Sequence, residues 1–461
     1  MSSQRNLRLL FIPAEKWAVG SIGVLLCMTL SGAFPQAAPA QAALAPVASN
    51  TLPSIGLLTL AQAKEIAFEK NWDLLAAKSG IDAATGQLIV AKEFPNPIAS
   101  INTYKVGTYE AATTQGNSIW HRSYDTIAAV SQLIEIGGKR HDRQVAGRAG
   151  VLGARARFYD AKRTLDQGVT KAYVAALLAV ENARVLGESA AYMRREADVA
   201  EARFKAGDLD ESDLEQILIG VEQYELQQKA AEAAAAQARI AVEILMGLNK
   251  PQGNWKAADT LDEMNSNALA APAARAGAER PDVLAAEADL RGGKAQLQLQ
   301  RAIRIPDPTI SLGVEHDPPS GGPPVDTFNI GISFPLPLWN LNGGNIKTAQ
   351  AAVDQFALAL HKARAQAAAD VADAEVEYKE AIGRLKRYRE QIKPQSAKSR
   401  ESVAYAFEKG GATLVDLLEA ERTDNDVRIA TAQATSDTAS AVADMAAAYT
   451  ALTELDLHSL K

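Results

Sequence analysis

Two carboxylates, Asp416 and Glu419, stand three residues apart directly after the glycine pair Gly410-Gly411. On a helix that spacing puts both on one face. Paired acids can hold a cation, or share a proton if further carboxylates are brought close. Acids in the first turns of a helix are also stabilised by the helix macrodipole, and spacing alone fits that simpler reading better. The comparable place in the first half holds Asp213 and Gln216, so only the second half offers two acids.

Other chemistry finds little support. The histidines, His121, His141, His316, His361 and His458, are scattered, and no Cys or His cluster has metal-ligand spacing. Glu315-His316-Asp317 could touch a metal, but alternate residues of an extended segment point apart, and a surface histidine is the plainer reading. The only cysteine, Cys27, leaves the rest of the chain without thiolate or disulfide chemistry. No nucleotide loop, nucleophile elbow or metalloprotease helix is present, so neither an enzyme nor a cofactor is expected. With 48 basic against 55 acidic residues, the surface is not built for a phosphate backbone. Lys139, Arg140, Arg143 and Arg148 follow Gly137-Gly138, where positive charge opposes a helix start. That suggests anionic lipid headgroups as an external partner, with a solvated charged face as the equal alternative.

The elements that must position these residues come in two similar sets. Phe94-Pro95-Asn96-Pro97 returns as Ile305-Pro306-Asp307-Pro308, Gly137-Gly138 as Gly343-Gly344, and Phe204-Lys205-Ala206-Gly207 as Phe407-Glu408-Lys409-Gly410. Residues 1–42 read as a signal peptide, with Arg5, Arg8 and Lys16 before the apolar run Ala18 to Leu30 and small residues after it. Residues 43–57 are a linker. The first repeat, 58–250, opens with a helix to about 93, stopped by Pro95 and Pro97. A strand hairpin over about 97–136 follows, then a helical hairpin over about 141–248. Its first arm, free of proline to 206, would be about 100 Å long at 1.5 Å per residue. Globular helices are rarely so long, which favours a coiled coil. After a linker over 251–267, the second repeat, 268–457, brings a helix over 281–303. Its strand hairpin, about 309–336, has clean apolar–polar alternation in Ile310 to Val314 and Phe328 to Phe334. The second helical hairpin covers about 345–457 and turns at Gly410-Gly411. Four strands cannot close a membrane barrel alone, since the smallest have about eight. Their apolar faces suit lipid or a sandwich core equally.

The duplicated plan, both Pro-x-Pro turns, and the run Gly410-Gly411-Ala412-Thr413-Leu414-Val415-Asp416-Leu417-Leu418-Glu419-Ala420 resemble the TolC-like outer membrane efflux family. Glu135-Ile136-Gly137-Gly138-Lys139-Arg140 is similar to its cobalt–zinc–cadmium branch. The resemblance implies a mainly α chain with four transmembrane strands. It implies a homotrimer with a twelve-stranded outer-membrane barrel and a periplasmic α-barrel. It further implies a passive channel for heavy-metal cations, docked on a periplasmic adaptor and an inner-membrane pump of the RND type. By the same resemblance Asp416 and Glu419 line the periplasmic constriction. The tips, with Phe204, Lys205, Gly207, Phe407, Gly410 and Gly411, meet the adaptor. A basic residue of the family's closed gate is matched by Ala412, which departs from the pattern. Drug or polypeptide export by the same kind of channel, and a soluble periplasmic scaffold without a pore, are the alternatives.

Overall fold

The computed structural model describes residues 56–104, 125–266, 279–317 and 325–452. The expected signal peptide, Cys27, His121, His458, and the loops after Tyr104 and Asp317 lie outside the described residues. In chain order the elements are β1 (Leu57–Leu58), α1 (Leu60–Lys70), α2 (Trp72–Lys92), β2 (Ile98–Tyr104), β3 (Asp125–Leu133), α3 (Lys139–Ala206), α4 (Glu211–Leu245), β4 (Lys256–Ala257), α5 (Leu261–Ser266), α6 (Pro281–Ala302), β5 (Thr309–Asp317), β6 (Val325–Ser333), α7 (Gly343–Arg387), a π-helical turn (Tyr388–Ile392), α8 (Lys393–Glu408) and α9 (Leu414–Ala448). The order helix, two strands, two long helices thus occurs twice. Among the described residues no helix is long and apolar enough to cross a membrane.

The strands form one antiparallel sheet in the order β2-β3-β5-β6, so the two hairpins join edge to edge through β3 and β5. Register decides its character. Ile310, Leu312 and Val314 pair with Ile332, Ile330 and Phe328. Leu312 also pairs with Val130, which pairs with Ala99. Partners in register share a face, so the apolar set is continuous across the sheet. That face is open: Ile101 is 77% exposed, Ile330 75% and Phe328 67%. It ends in a polar rim where His316 meets Asp326 at 2.7 Å, which gives His316 a cross-strand partner. β6 stops at Ser333, short of the expected 336, because Pro335 and Pro337 bring no amide donor to the ladder.

The main core lies where α1, α2, α3 and α4 meet. Tyr173 of α3 is fully buried, stacks on Trp255 at 5.6 Å, and donates its hydroxyl to Leu58 O or Asp259 Oδ2. Asp259 Oδ2 also accepts the Leu60 amide at the start of α1. The stretch expected as a plain linker, 251–267, is therefore stitched down over its described part, residues 251–266. Trp255 is buried, β4 pairs in parallel with β1, and the buried Glu243 carboxylate accepts the amides of Gln252 and Gly253. α9 runs through the second half as a central helix because its buried residues are small. Thr431, Thr435 and Thr438 return their hydroxyls to carbonyls one turn back, so their burial leaves no hydroxyl proton unpaired.

Two expected helices are interrupted. The helix over 58–93 breaks at Asn71, whose side chain caps α2 through the Leu74 amide and donates to Leu245 O at the end of α4. Asparagine is among the best residues for such a cap. The helix over 345–409 contains Pro394, which has no amide to donate and whose ring crowds the carbonyl four residues back. The wider π turn just before it absorbs that conflict, so the helix runs on as α8.

Gly247 closes α4 with φ +77°, and a Cβ placed there would stand 2.2 Å from Lys70 O. Gly247→Ala should therefore lower stability by about 3 kcal/mol or more, read as a fall in the denaturant midpoint, because both the backbone angle and the space are refused. Gly207→Ala meets open space and should cost about 1 kcal/mol.

Candidate functional site

The two hairpin turns are built alike. Gly207, at φ +82°, donates to Phe204 O, and Asp208 donates to Arg203 O. Gly410, at φ +74°, donates to Phe407 O, and Gly411 donates to Ala406 O at 2.8 Å. A left-handed glycine with paired return bonds satisfies the last carbonyls of a helix and reverses the chain. Lys205 points outward and reaches only Glu201, at 3.5 Å. The two tip aromatics differ. Phe204 is exposed, whereas Phe407 packs with Leu414, Met193 and Ile217 and lies 5.7 Å beneath the Arg203 guanidinium. Phe407 thus has its partner within the chain, and only Phe204 is left as an open ring.

Thr413 opens α9 with a capping box. Its hydroxyl accepts the Asp416 amide at 3.3 Å, and Asp416 Oδ2 accepts the Thr413 amide at 2.9 Å and its hydroxyl at 2.6 Å. These bonds hold the Asp416 carboxyl below the usual carboxylate range, the Thr413 hydroxyl contributing most. Asp416 and Glu419 are both exposed, on the side of α9 away from the buried Leu414 and Leu417. The shared face expected from spacing is present. Asp416 also does the plain work of a helix start.

Lys139, Arg140 and Arg143 of the basic cluster find partners inside the chain. Lys139 is buried; its Nζ donates to Ile305 O at 2.5 Å and lies 2.7 Å from Asp307 Oδ1. Arg140 donates to Lys92 O and lies 3.9 Å over the Phe94 ring. Arg143 grips Glu135 with two parallel bonds, which hold that carboxyl below its ordinary value. Asp307 further accepts the Ile136 amide at 2.9 Å. Charge at the start of α3 thus fastens the end of β3 to the Pro306-Asp307-Pro308 turn of the other half. That turn, expected as a simple helix breaker, also supplies the anchoring carboxylate.

A second polar group escaped the sequence reading. Glu421, Asp424 and Asn425 of α9, Ser189 of α3 and Ser396 of α8 are all buried. They lie behind the tip cluster that contains Phe407. In the amino-acid pattern they look like a solvated stretch of helix, and the only available signal was their nearness to Leu417 and Leu418 at helical spacing.

Comparisons with known proteins agree with this architecture. The family model described as "Outer membrane efflux protein" matches residues 65–248 and 273–450. The cobalt-zinc-cadmium resistance protein CzcC of Cupriavidus metallidurans is 26% identical over 370 residues, 80% of this chain and 84% of that protein. The nickel and cobalt resistance protein CnrC of the same organism is 26% identical over 309 residues, 66% of this chain and 71% of its own. The crystal structure of CusC, described as undergoing conformational changes on folding and transmembrane channel formation, superposes with a TM-score of 0.70 at 17% identity. That match covers 85% of this chain and 91% of CusC.

Removing one partner of a buried ion pair leaves the other charge stranded. Asp307→Ala should cost about 3 kcal/mol in denaturant unfolding, whereas Arg157→Ala, which breaks the exposed pair with Asp289, should cost under about 1 kcal/mol. Equal losses would show that the Lys139–Asp307 contact does not hold the junction.

Proposed function

We propose that this chain, which belongs to the outer membrane efflux protein family, works as a homotrimeric channel that carries divalent metal cations out of the cell. Family membership places it in the outer membrane as a transport conduit, without covalent chemistry, and sets aside the soluble scaffold. The observation that carries the finer reading is the sheet. Its apolar face is open and its outer strands β2 and β6 each have an unpaired edge among the described residues. An exposed apolar sheet with free edges invites either aggregation or closure. Three copies joined edge to edge give twelve strands, enough to close, with the apolar face turned to lipid and the Asn329–Glu315 side turned inward. The exposed stretch after β6, with Phe334, Leu336, Leu338 and Trp339, then lies at the level of the lipid headgroups, where aromatic rings settle.

The long helical hairpins continue the conduit into the periplasm. At its far end the exposed Asp416 and Glu419 of three chains form two rings of carboxylates that draw cations in and repel anions. The tips, with Phe204 and Lys205 outermost, meet the periplasmic adaptor, and an inner-membrane pump supplies the energy. The metal cargo is supported by the likeness to CzcC and CnrC, whose names are those of metal-resistance proteins, and by those acids. The proposed domain plan keeps one strand hairpin and one helical hairpin in each of the repeats 58–250 and 268–457.

Asn and Gln keep the shape of the acids and remove their charge. In planar bilayers the Asp416→Asn/Glu419→Gln channel should lose most of its cation preference while its conductance persists; unchanged selectivity would exclude the acidic rings. Deleting the gene should sensitise cells to zinc, cobalt or cadmium with drug tolerance unchanged, and the reverse pattern would assign the channel to organic cargo. Ile330→Lys, which puts a charge on the apolar face, should cost about 2 kcal/mol or more and reduce the trimer recovered from outer membranes.

A further inference from the structure

The seam between the two helical hairpins has two layers near the tips. The outer layer is apolar: Met193, Ile217 and Val221 of the first hairpin pack on Leu414, Leu418 and Phe407 of the second. The inner layer, about two turns into α9, is polar and incompletely bonded. Glu421 is 5% exposed. From α8 it faces Arg400, with Nη1 at 3.7 Å from Glu421 Oε1, a distance that gives attraction without a hydrogen bond. From α3 it faces Tyr192 and Glu196, and along α9 it faces Asp424. Asp424 stands 3.7 Å from Arg400 Nε and accepts the Ser396 hydroxyl at 2.8 Å. Asn425 accepts the Ser189 hydroxyl, and Tyr224 approaches it from α4, with Arg422 and Asp426 nearby. Glu421 Oε1, Arg400 Nε and Asn425 Nδ2 are buried with no hydrogen-bond partner among the described residues. The carboxylates of Glu421 and Asp424 therefore share one guanidinium, with Glu196 adding a third negative charge beside Glu421, at the place where the hairpins touch.

We propose that Glu421 is a proton-operated latch of this seam: protonated, it lets the second hairpin tip stay packed on the first, and ionised, it loosens that packing. As a carboxylic acid its hydroxyl can donate to a neighbouring carboxylate and remove one of the crowding charges. As a carboxylate it is a buried charge whose attraction to Arg400 is shared with Asp424. Burial pushes the Glu421 carboxyl up to about 7, with Asp424 and Glu196 adding to the rise and Arg400 opposing it. The sign follows. A carboxyl that holds its proton more tightly when packed than when solvated favours packing at low pH. That contribution is full below about pH 4.5 and is lost as pH rises through about 7. The periplasmic tip would thus be held more firmly in an acid medium than in a neutral one. Because Glu421 is buried within a single chain, it does not depend on neighbouring subunits, unlike the exposed Asp416 and Glu419.

The consequence for transport rests on the channel reading above, but the test does not, so the two can fail separately. Amide hydrogen exchange is followed on the purified full-length protein in detergent, with rates corrected for the intrinsic effect of pH. In the wild type, protection of residues 192–206 and 396–421 should fall by up to about fiftyfold between about pH 5 and pH 7.5, the loss levelling off near pH 7. Glu421→Gln, always neutral and nearly the same shape, should keep the acid-pH protection throughout. Asp416→Asn/Glu419→Gln should respond as the wild type does. A flat wild-type profile, a loss already complete below about pH 5.5, or a Glu421→Gln protein that still loosens would each overturn the proposal. The wild-type profile alone remains decisive if the variant does not fold.

Discussion

A four-stranded sheet that cannot satisfy itself is the constraint on which the rest of the molecule depends. Register gathers Ile101, Val130 and the alternating apolar side chains of β5 and β6 onto one face, and no element of the chain covers that face among the described residues. Burying such a surface is worth about 25 cal/mol for each Å² removed from water. The chain cannot collect that stabilisation alone. Its helices are accordingly placed to hold the sheet's base rather than to cover its face. Lys139, Arg143, Glu135 and Asp307 tie the strand exits to both halves, so β3 and β5 keep their pairing whichever lipid or neighbour comes against them.

Away from the sheet the problem is the opposite one, how to pack very long helices closely. The chain uses small residues. Alanine, glycine, serine and threonine fill the contacts of α3, α6 and α9, and the larger side chains concentrate around Tyr173 and at the tips. The hairpin turns are fastened by backbone bonds and one capping box, which cost little and define where each reversal falls. Between the firm core and the firm turns lies the polar layer of Glu421, Asp424 and Arg400. It is the part of the seam with the poorest hydrogen bonding, and so the place where a modest change in charge has the largest effect.

Much of the plan was legible because it is written in local physics. Period-two alternation marked β5 and β6, proline marked the ends of α2 and α6, and the glycine at each tip marked the reversals. What stayed hidden depends on partners far away in the chain. Nothing near Lys139 names Asp307 as its counter-ion, and nothing near Trp255 says that it stacks on Tyr173 and closes a supposed linker into the core. Glu421, Asp424 and Asn425 looked like a solvated helix face because pattern treats every acid as exposed. The Thr413-x-x-Asp416 spacing carries the signal of the capping box, whereas the proposed ring of acids rests on resemblance and not on anything one chain can display.

The π turn at Tyr388–Ile392 has a geometric effect that reaches well beyond Pro394. One additional residue in a turn advances the helix by about 100° relative to an uninterrupted α-helix. Heptad positions that point toward neighbours in α7 therefore point sideways in α8. The upper and lower stretches of what is nearly a single rod can thus obey different packing rules, each matched to its own surroundings.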